Sequence, residues 1–120
     1  MKLLLAILSA IVLVACDDDG VPVDASALAE LFAVPQKASF KTVRFTGSVE
    51  FRANGSARLV IPALGADDGR WWLNGDRICS QWNQALNGKE RCARLVALTS
   101  GSYAAVDSGS GLRVGTFSFN

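Results

Sequence analysis

From Ala38 onward the chain consists of short stretches of alternating apolar and polar residues, with turn-forming residues about every 10 positions. In one stretch, Val49 and Phe51 alternate with Glu50 and Arg52, which is the period-two pattern of a half-buried strand. No segment between two stretches is long enough for the crossover that parallel strands need. The pattern therefore predicts a mainly β fold: an antiparallel meander of about seven to eight strands that forms a small barrel or sandwich.

Several segments are predicted to connect these strands. Asn54-Gly55 predicts a two-residue hairpin turn of type I′, because both central positions of that turn need positive φ. Asn74-Gly75 predicts a second tight turn of the same kind. Residues 64–69 and 84–89 are rich in turn-forming or polar residues and are predicted to be loops.

The register around Asn74-Gly75 stays open at the level of sequence. A two-residue turn would place Trp71 opposite Ile78, whereas a three-residue turn would place Trp71 opposite Cys79.

A short amphipathic helix is predicted over residues 24–33. Asp24 is a residue type that favours the N-cap. Leu28, Leu31 and Phe32 recur at helical spacing and would share one face. We expect this helix to cover one end of the β core, and binding of a partner is the alternative. After it, the run containing Phe40, Val43 and Phe45 is predicted to be strand.

The first 15 residues have the features of a secretory signal peptide, because Lys2 is followed by an apolar stretch that ends at the small Ala15. This stretch is shorter than the roughly 20 residues of a bilayer span, and an uncleaved transmembrane anchor is the alternative. Leu13-Val14-Ala15-Cys16 resembles the lipobox, the cleavage and lipidation signal of exported bacterial lipoproteins. The resemblance implies that residues 1–15 are removed and that Cys16 carries the lipid.

The rest of the chain then divides into an acidic lipidated tether at residues 16–23 and a single β domain at residues 24–120. Several acyl chains on one residue would anchor the protein firmly in a membrane. An aspartate directly after the lipidated cysteine, here Asp17, resembles the signal that retains enteric lipoproteins in the inner membrane. We therefore expect a location in the bacterial envelope facing the periplasm, with the inner membrane favoured.

The composition excludes several classes of site. The 120 residues include no histidine, which rules out Ser-His-Asp triads, Cys-His pairs and His-containing metal sites within one chain. The 12 basic residues nearly balance the 11 acidic residues and form no run, so we expect no nucleic-acid partner. No glycine-rich phosphate-binding motif is present, and we predict no cofactor and no metal.

The acidic residues offer little for catalysis. Glycoside hydrolysis needs two carboxylates within about 10 Å, and Asp67 and Asp76 are a candidate pair, but most pairs of acids in a β domain could be nominated in the same way. Ser and Thr have no base partner other than lysine. We therefore predict that the protein is not an enzyme.

Two of the three cysteines, Cys79 and Cys92, remain if Cys16 takes the lipid. An exported compartment is oxidising, so this pair is predicted to form a disulfide. A redox-active pair is the alternative, but the Cys-x-x-Cys spacing is missing.

The stretch around the tryptophans resembles the DUF995-like group, small exported bacterial domains of unknown function. Their order of Gly-x-Trp, Gly-Asp, Cys, Trp and a second Cys falls here on Gly69, Trp71 or Trp72, Gly75, Asp76, Cys79, Trp82 and Cys92. The resemblance covers residues 24–119 and implies architecture and export, but no activity. Val34-Pro35 departs from the glycine that follows the helix in that group.

Trp71 or Trp72, together with Arg70 and Arg77, is the candidate binding site, because Trp and Arg are common at interface hot spots. Consecutive residues of a strand point to opposite faces, so we expect one ring inside and the other outside. The alternative is that these residues are only core and solvated rim.

We expect a lipid-anchored envelope protein with a non-catalytic binding or accessory β domain, whose partners are the membrane and an envelope protein. One alternative is an inhibitor of an envelope-attacking hydrolase such as lysozyme, with Ser80 or Tyr103 at the tip of an inhibitory loop. Another is a small-ligand carrier with a lipocalin-like cavity, for which a domain of this size has little room.

Overall fold

The computed structural model describes residues 20–120. Within this range the chain forms nine strands and one α-helix. The strands are β1 (Val21–Pro22), β2 (Gln36–Lys41), β3 (Thr46–Phe51), β4 (Ser56–Ile61), β5 (Gly65–Asn74), β6 (Arg77–Trp82), β7 (Arg91–Ala97), β8 (Tyr103–Asp107) and β9 (Arg113–Phe119). The helix α1 (Ala25–Leu31) follows β1, and a short 3₁₀ helix (Ala85–Gly88) lies between β6 and β7.

Strands β2 to β9 form an antiparallel meander that closes into a barrel. Each of these strands pairs with the next one along the chain. Strand β9 then pairs back onto β2, where Phe117 lies opposite Phe40. The predicted mainly β meander with one short N-terminal helix is confirmed, and it takes the form of a barrel.

The two ends of the barrel are closed differently. Strands β3, β5, β7 and β9 finish at one end, which we call the helix end, because the connection from β1 through α1 to β2 crosses it. The β2–β3, β4–β5, β6–β7 and β8–β9 connections lie at the other end, which we call the distal end.

Strand β1 adds a short ninth strand to the sheet. It pairs with the C-terminal half of β7, where Val21 lies opposite Ala97. The Val23 amide continues this pairing by donating a hydrogen bond of 2.9 Å to the Leu95 carbonyl. The sheet therefore already includes Val21, before the domain boundary predicted at residue 24.

This pairing takes up part of the predicted tether, residues 16–23, and leaves the described chain beginning at Gly20 beside the helix end. The predicted signal peptide at residues 1–15 and the predicted lipidation site at Cys16 lie outside the described residues.

Helix α1 forms as the sequence predicts and covers the helix end of the core. The Asp24 side chain caps its N-terminus by accepting a hydrogen bond of 2.8 Å from the Ala27 amide. Leu28 is fully buried. The ring of Phe32, just after the helix, packs edge-on against Phe51 with 5.3 Å between ring centroids.

Large side chains fill the barrel interior. At the distal end, Phe40 and Trp82 are buried and each faces a glycine on the neighbouring strand. A Cβ atom at Gly47 would lie 2.8 Å from the Phe40 ring, and one at Gly69 would lie 2.8 Å from the Trp82 ring. The two glycines thus provide the space that the rings occupy. The interior of this eight-stranded barrel is a packed core, which also contains Leu28, Phe32, Ala38, Val49, Phe51, Ala57, Leu95 and Ala105.

The β3–β4 connection differs from the predicted two-residue type I′ turn. It is a three-residue loop in which Gly55 has φ of 87° and its amide donates a hydrogen bond of 3.1 Å to the Arg52 carbonyl. Asn54 does not adopt positive φ. Instead, its side-chain oxygen accepts a hydrogen bond of 2.9 Å from the Ser56 amide. The result is the type I turn with a left-handed glycine that is common in three-residue hairpin loops.

Two strand boundaries also differ from the sequence prediction. Strand β5 begins at Gly65, so most of the predicted loop at residues 64–69 is strand. Conversely, Val43 and Phe45 lie beyond the end of β2, and Val43 is fully exposed. The Thr42 hydroxyl accepts a hydrogen bond of 3.0 Å from the Phe45 amide. This local bond stabilises a turn and overrides the strand preference of the β-branched residues.

Candidate functional site

The turn between β5 and β6 determines where the tryptophans point. Asn74 lies opposite Arg77, so Gly75 and Asp76 are the two residues of the turn. Gly75 has φ of 62°, and Asp76 does not have positive φ. Positive φ is thus needed only at the first turn position, which Gly75 occupies. The turn lies one residue later than the predicted Asn74-Gly75 turn.

This register settles the orientation of both tryptophans. Trp71 lies opposite Ser80, and Trp72 lies opposite Cys79. The two predicted partners of Trp71, Ile78 and Cys79, are therefore both wrong. Since adjacent residues alternate across a strand, one tryptophan faces the interior and the other faces outward.

Trp71 is the inward residue. Its ring lies 5.3 Å from that of Phe32 and 5.5 Å from that of Phe51, measured between centroids. Its indole Nε1 donates a hydrogen bond of 2.9 Å to the Arg52 carbonyl. Trp71 is half-buried, and its ring packs against the core beneath the helix instead of lying on the outer face of the barrel.

Trp72 is the outward residue and is half-buried on the barrel surface. The Arg70 guanidinium carbon lies 4.7 Å from the centroid of its ring, in a cation–π contact. The Gln81 side chain fixes Arg70 by accepting hydrogen bonds of 3.1 Å from Nε and 2.7 Å from Nη2. Gln81 in turn donates to the Gly88 carbonyl at 3.1 Å. Arg70 is thus held over Trp72 instead of extending freely into solvent.

The disulfide lies beside Trp72 on the neighbouring strands of the sheet. Cys79 lies opposite Trp72 on one side and opposite Cys92 on the other. The two cysteine Cα atoms are 4.0 Å apart and the sulfurs are bonded, which confirms the predicted disulfide. Cys79 is fully buried between these two neighbours although its position faces outward. The bridge therefore crosslinks β6 to β7, and β6 is the strand that pairs with the one carrying Trp72.

Two arginines lie opposite each other on the neighbouring strands β6 and β7, two positions from the disulfide. Arg77 lies opposite Arg94, and both are exposed. Arg77 approaches Asp76 at 3.9 Å, whereas Arg94 forms no ion pair within residues 20–120. Like charges directly opposite one another destabilise a sheet, and an anion bound between them would offset this repulsion.

We call Arg70, Trp72, Arg77 and Arg94 the Trp72 face. The structure brings the predicted residues Trp72, Arg70 and Arg77 onto this one outer face and separates Trp71 from them. Sequence reasoning did not single out Arg94, although the alternation of β7 and the pairing of the cysteines would have placed it beside Arg77.

The structure does not bring together the acidic pair considered for hydrolysis. Asp67 lies near the distal end of β5, and Asp76 lies in the turn at the helix end. Seven strand residues separate Asp67 from that turn, roughly 20 Å at about 3.3 Å per residue. Two carboxylates at opposite ends of a strand cannot flank one glycosidic bond.

Asp67 has a structural role instead. Its Oδ2 accepts hydrogen bonds of 2.8 Å from the Ala85 amide and 2.9 Å from the Gln84 amide. These amides, that of Ala85 above all, hold the pKa of Asp67 below its ordinary value. The carboxylate thereby fixes the 84–88 segment across the distal end. No sequence pattern indicates this contact.

Asp107 has a corresponding role in the β8–β9 connection. Its Oδ2 accepts a hydrogen bond of 2.9 Å from the Ser110 amide. This bond, with a smaller contribution from Arg91 at 3.9 Å, lowers the pKa of Asp107.

The two residues considered for an inhibitory loop are not at loop tips. Ser80 lies within β6, opposite Trp71. Tyr103 begins β8, and its ring packs against that of Phe119 at 5.3 Å. Both belong to strands of the barrel wall, so neither can protrude into a partner.

Residues 20–120 contain no group of three or more His, Cys, Asp or Glu side chains that could hold a metal ion. Over the same part of the chain, no helix has the length and hydropathy to cross a membrane.

Comparison with family models, with curated proteins and with solved structures finds no match. The resemblances to bacterial lipoproteins and to the DUF995-like domains therefore stay predictions.

Proposed function

We propose that the protein is a lipid-anchored component of the bacterial envelope whose barrel is a non-catalytic binding module, with the Trp72 face as its partner surface. The observation that carries the proposal is the orientation of the two adjacent tryptophans. Trp71 supplies the core, and Trp72 lies outside it under a fixed arginine.

The Trp72 face has the features of an interface hot spot. Trp and Arg contribute most to binding energy when they are rigid and become fully desolvated in the complex. Arg70 is already fixed by Gln81, and the disulfide crosslinks the two strands next to the one that carries Trp72. A partner would therefore bind without ordering these side chains first, which lowers the entropic cost of association.

The charge of the face favours an acidic partner. Arg70, Arg77 and Arg94 lie around Trp72. Asp76 is adjacent to Arg77 in the chain, and Asp68, two residues before Arg70, is paired with Arg58 at 3.0 Å. A protein segment with carboxylates beside an apolar side chain would pair with the arginines and cover the indole.

The packed interior distinguishes this proposal from a small-ligand carrier. The meander has the strand number of lipocalin-like barrels, but aromatic side chains from both ends occupy its centre. The hydrolase-inhibitor alternative loses its two candidate residues, because Ser80 and Tyr103 are part of the barrel wall. A binding surface on the outside of the barrel suits the observed packing better.

The lipid anchor is tested by replacing Cys16 with Ser. We expect the wild-type chain to partition into the detergent phase and to incorporate labelled fatty acid, and the variant to do neither. Incorporation by the variant would contradict the lipobox interpretation.

The partner surface is tested by site-specific photo-crosslinking in intact envelopes. A photoreactive residue at position 74, an exposed position on β5 opposite Arg77, is compared with one at Ser118, which is also exposed but lies on β9, away from the Trp72 face. We expect a discrete crosslinked band from position 74 only, and its loss when Trp72 is replaced by Ala or Arg94 by Glu. Equal bands from both positions, or none from position 74, would contradict the proposal.

A further inference from the structure

All four connections at the distal end expose a large apolar side chain. The residues are Val43, Leu64, Leu86 and Leu112, one in each of the β2–β3, β4–β5, β6–β7 and β8–β9 connections. Their exposed fractions are 102, 68, 53 and 67%. The hairpin connections at the helix end contain no large hydrophobic residue with comparable exposure. We call these four residues the apolar tips.

The apolar tips are presented by loops with defined internal bonds. In the first loop, the Thr42 hydroxyl accepts from the Phe45 amide at 3.0 Å. In the second, the Leu64 amide donates to the Ile61 carbonyl at 2.8 Å. These bonds fix the backbone on either side of the exposed side chains, so the exposure is built into the fold.

The carboxylates described above do the same for the other two loops. Asp67 fixes the segment that contains Leu86, and Asp107 fixes the loop that contains Leu112. Leu86 itself has φ of 56°, a left-handed conformation that is unusual for a bulky residue. Strained backbone of this kind persists where surrounding contacts impose it, and it is common at functional sites.

Basic residues surround the tips. Lys41, Arg44, Lys89 and Arg113 lie in or directly beside three of these four loops, and none of them forms an ion pair within the described chain. The acidic residues at this end are Asp67 and Asp107, which accept loop hydrogen bonds, and the exposed Glu90. The distal end thus combines exposed apolar groups with an excess of unpaired positive charge.

We propose that the distal end docks on an anionic lipid bilayer, with the apolar tips inserted at the level of the headgroups. Apolar side chains flanked by Lys and Arg are the features by which surface-bound proteins recognise anionic membranes. A second copy of the chain does not fit this surface, because pairing two distal ends would bring the cations together. The proposal uses none of the residues of the Trp72 face, so membrane docking and the partner surface can fail independently, and only the identity of the bilayer rests on the lipid anchor of the proposed function.

The position of strand β1 at the helix end indicates which bilayer the distal end would contact. It holds Gly20 beside Ala97, at the helix end. If Cys16 is lipidated, only four residues separate the anchor from the barrel, and the distal end points away from the anchoring bilayer. The bilayer that meets the apolar tips is then a second membrane.

The experiment places a fluorescent probe on one tip at a time in the full chain. Cys16→Ser removes the one cysteine outside the disulfide, and Val43→Cys or Leu112→Cys then provides a single labelling site for an environment-sensitive dye. Val34→Cys is the matched control, because Val34 is also an exposed apolar residue but lies after α1 at the helix end. Vesicles of phosphatidylcholine, with and without phosphatidylglycerol, carry a quencher on their acyl chains.

We expect strong quenching of the probes at positions 43 and 112 in the anionic vesicles only, and several-fold weaker quenching at high salt. The probe at position 34 should respond equally in neutral and anionic vesicles, because any approach caused by residues 1–19 brings the helix end towards both. Replacing Arg44 and Arg113 with Gln should weaken the quenching, whereas Arg52→Gln, at the helix end, should not. Quenching at position 34 alone, equal quenching in neutral vesicles, or none at positions 43 and 112 would overturn the proposal, and the last outcome would leave an acidic protein surface as the occupant to test.

Discussion

The carboxylate of Asp67 accepts a hydrogen bond of 2.8 Å from the backbone amide of Ala85, although the two residues are 18 positions apart in sequence. The bond joins the beginning of β5 to the connection between β6 and β7 and brings Ala85 against the core. Strand pairing alone would not join these two segments. The position of the 84–88 segment at the distal end therefore depends on the ionised carboxylate of Asp67.

Asp67→Asn should loosen the 84–88 segment. The asparagine keeps one acceptor oxygen but loses the charge that strengthens both hydrogen bonds, so we expect a loss of about 1 kcal/mol in the free energy of unfolding at neutral pH. Hydrogen exchange of the Gln84 and Ala85 amides should accelerate while that of the β2 amides changes little. Unchanged protection of both loop amides would show that the carboxylate does not hold the segment.

The stability of the barrel should fall in acid for the same reason. The pKa of Asp67 is lower in the folded protein than in the unfolded chain. Its stabilising contribution is therefore complete above the unfolded value of about 3.9 and is lost as the pH falls through the lower folded value. Asp107 contributes in the same direction. Urea unfolding of the wild type should show a steeper loss of stability below about pH 4 than that of the Asp67→Asn variant. Parallel pH profiles for the two proteins would contradict this assignment.

Replacing the two tryptophans should separate the core from the binding face. Trp71→Ala removes an aromatic ring that contacts Phe32 and Phe51, so we expect a loss of roughly 3–5 kcal/mol. Trp72→Ala removes a surface ring and one cation–π contact, so we expect a loss of about 1 kcal/mol or less. Chemical denaturation measures both. Equal losses would mean that Trp72 also supports the fold and is a weaker candidate for binding.

The disulfide should contribute substantially to stability. Cys79 and Cys92 are 13 positions apart, and a closed loop of this length is worth roughly 3 kcal/mol in the chain-entropy model. The double variant Cys79→Ala and Cys92→Ala should therefore unfold at a lower denaturant concentration than the oxidised wild type. Adding a reductant should lower the stability of the wild type but not that of the variant, and equal sensitivity in both proteins would exclude the bridge as the cause.

Gly69→Ala should be poorly tolerated. A Cβ atom there would lie 2.3 Å from the Gln81 carbonyl oxygen and 2.8 Å from the Trp82 ring. Relief of such overlap by shifts in the wall costs typically about 1–3 kcal/mol. Gly109→Ala is the matched control, because its nearest contact would be the Asp107 side chain at 3.3 Å and it has no positive φ. Thermal unfolding should show a clear loss for the first variant and little change for the second.

Sequence periodicity was sufficient to predict the class of fold, because alternation is a direct consequence of strand geometry. Val49 and Phe51 face the interior as their spacing predicts, and Asp24 caps α1 as its residue type predicts. The failures occurred at the turns. Asn54 and Thr42 use their side chains to bond nearby amides, and such local bonds compete with the backbone conformation that dipeptide preferences suggest.

The candidate site was predicted only in part for the same reason. Shifting the turn to Gly75 and Asp76 changes which residue lies opposite each tryptophan, and a change of one residue exchanges the inner and outer faces. The sequence could therefore predict that one tryptophan faces outward but not which one. Contacts across the distal end, such as that of Asp67, depend on tertiary structure and have no local signature.

The closure of the barrel sets an order for folding. Pairing of β2 with β9 joins Ala38 to Phe119, near the two ends of the barrel sequence, whereas the disulfide lies within a single hairpin. Local hairpins form before contacts that close a long loop. The Cys79–Cys92 bridge can thus form early, whereas one edge of β2 stays unpaired until β9 pairs with it. A chain that lacked β9 would keep two open edges, at β2 and β8, and would be prone to edge-to-edge aggregation.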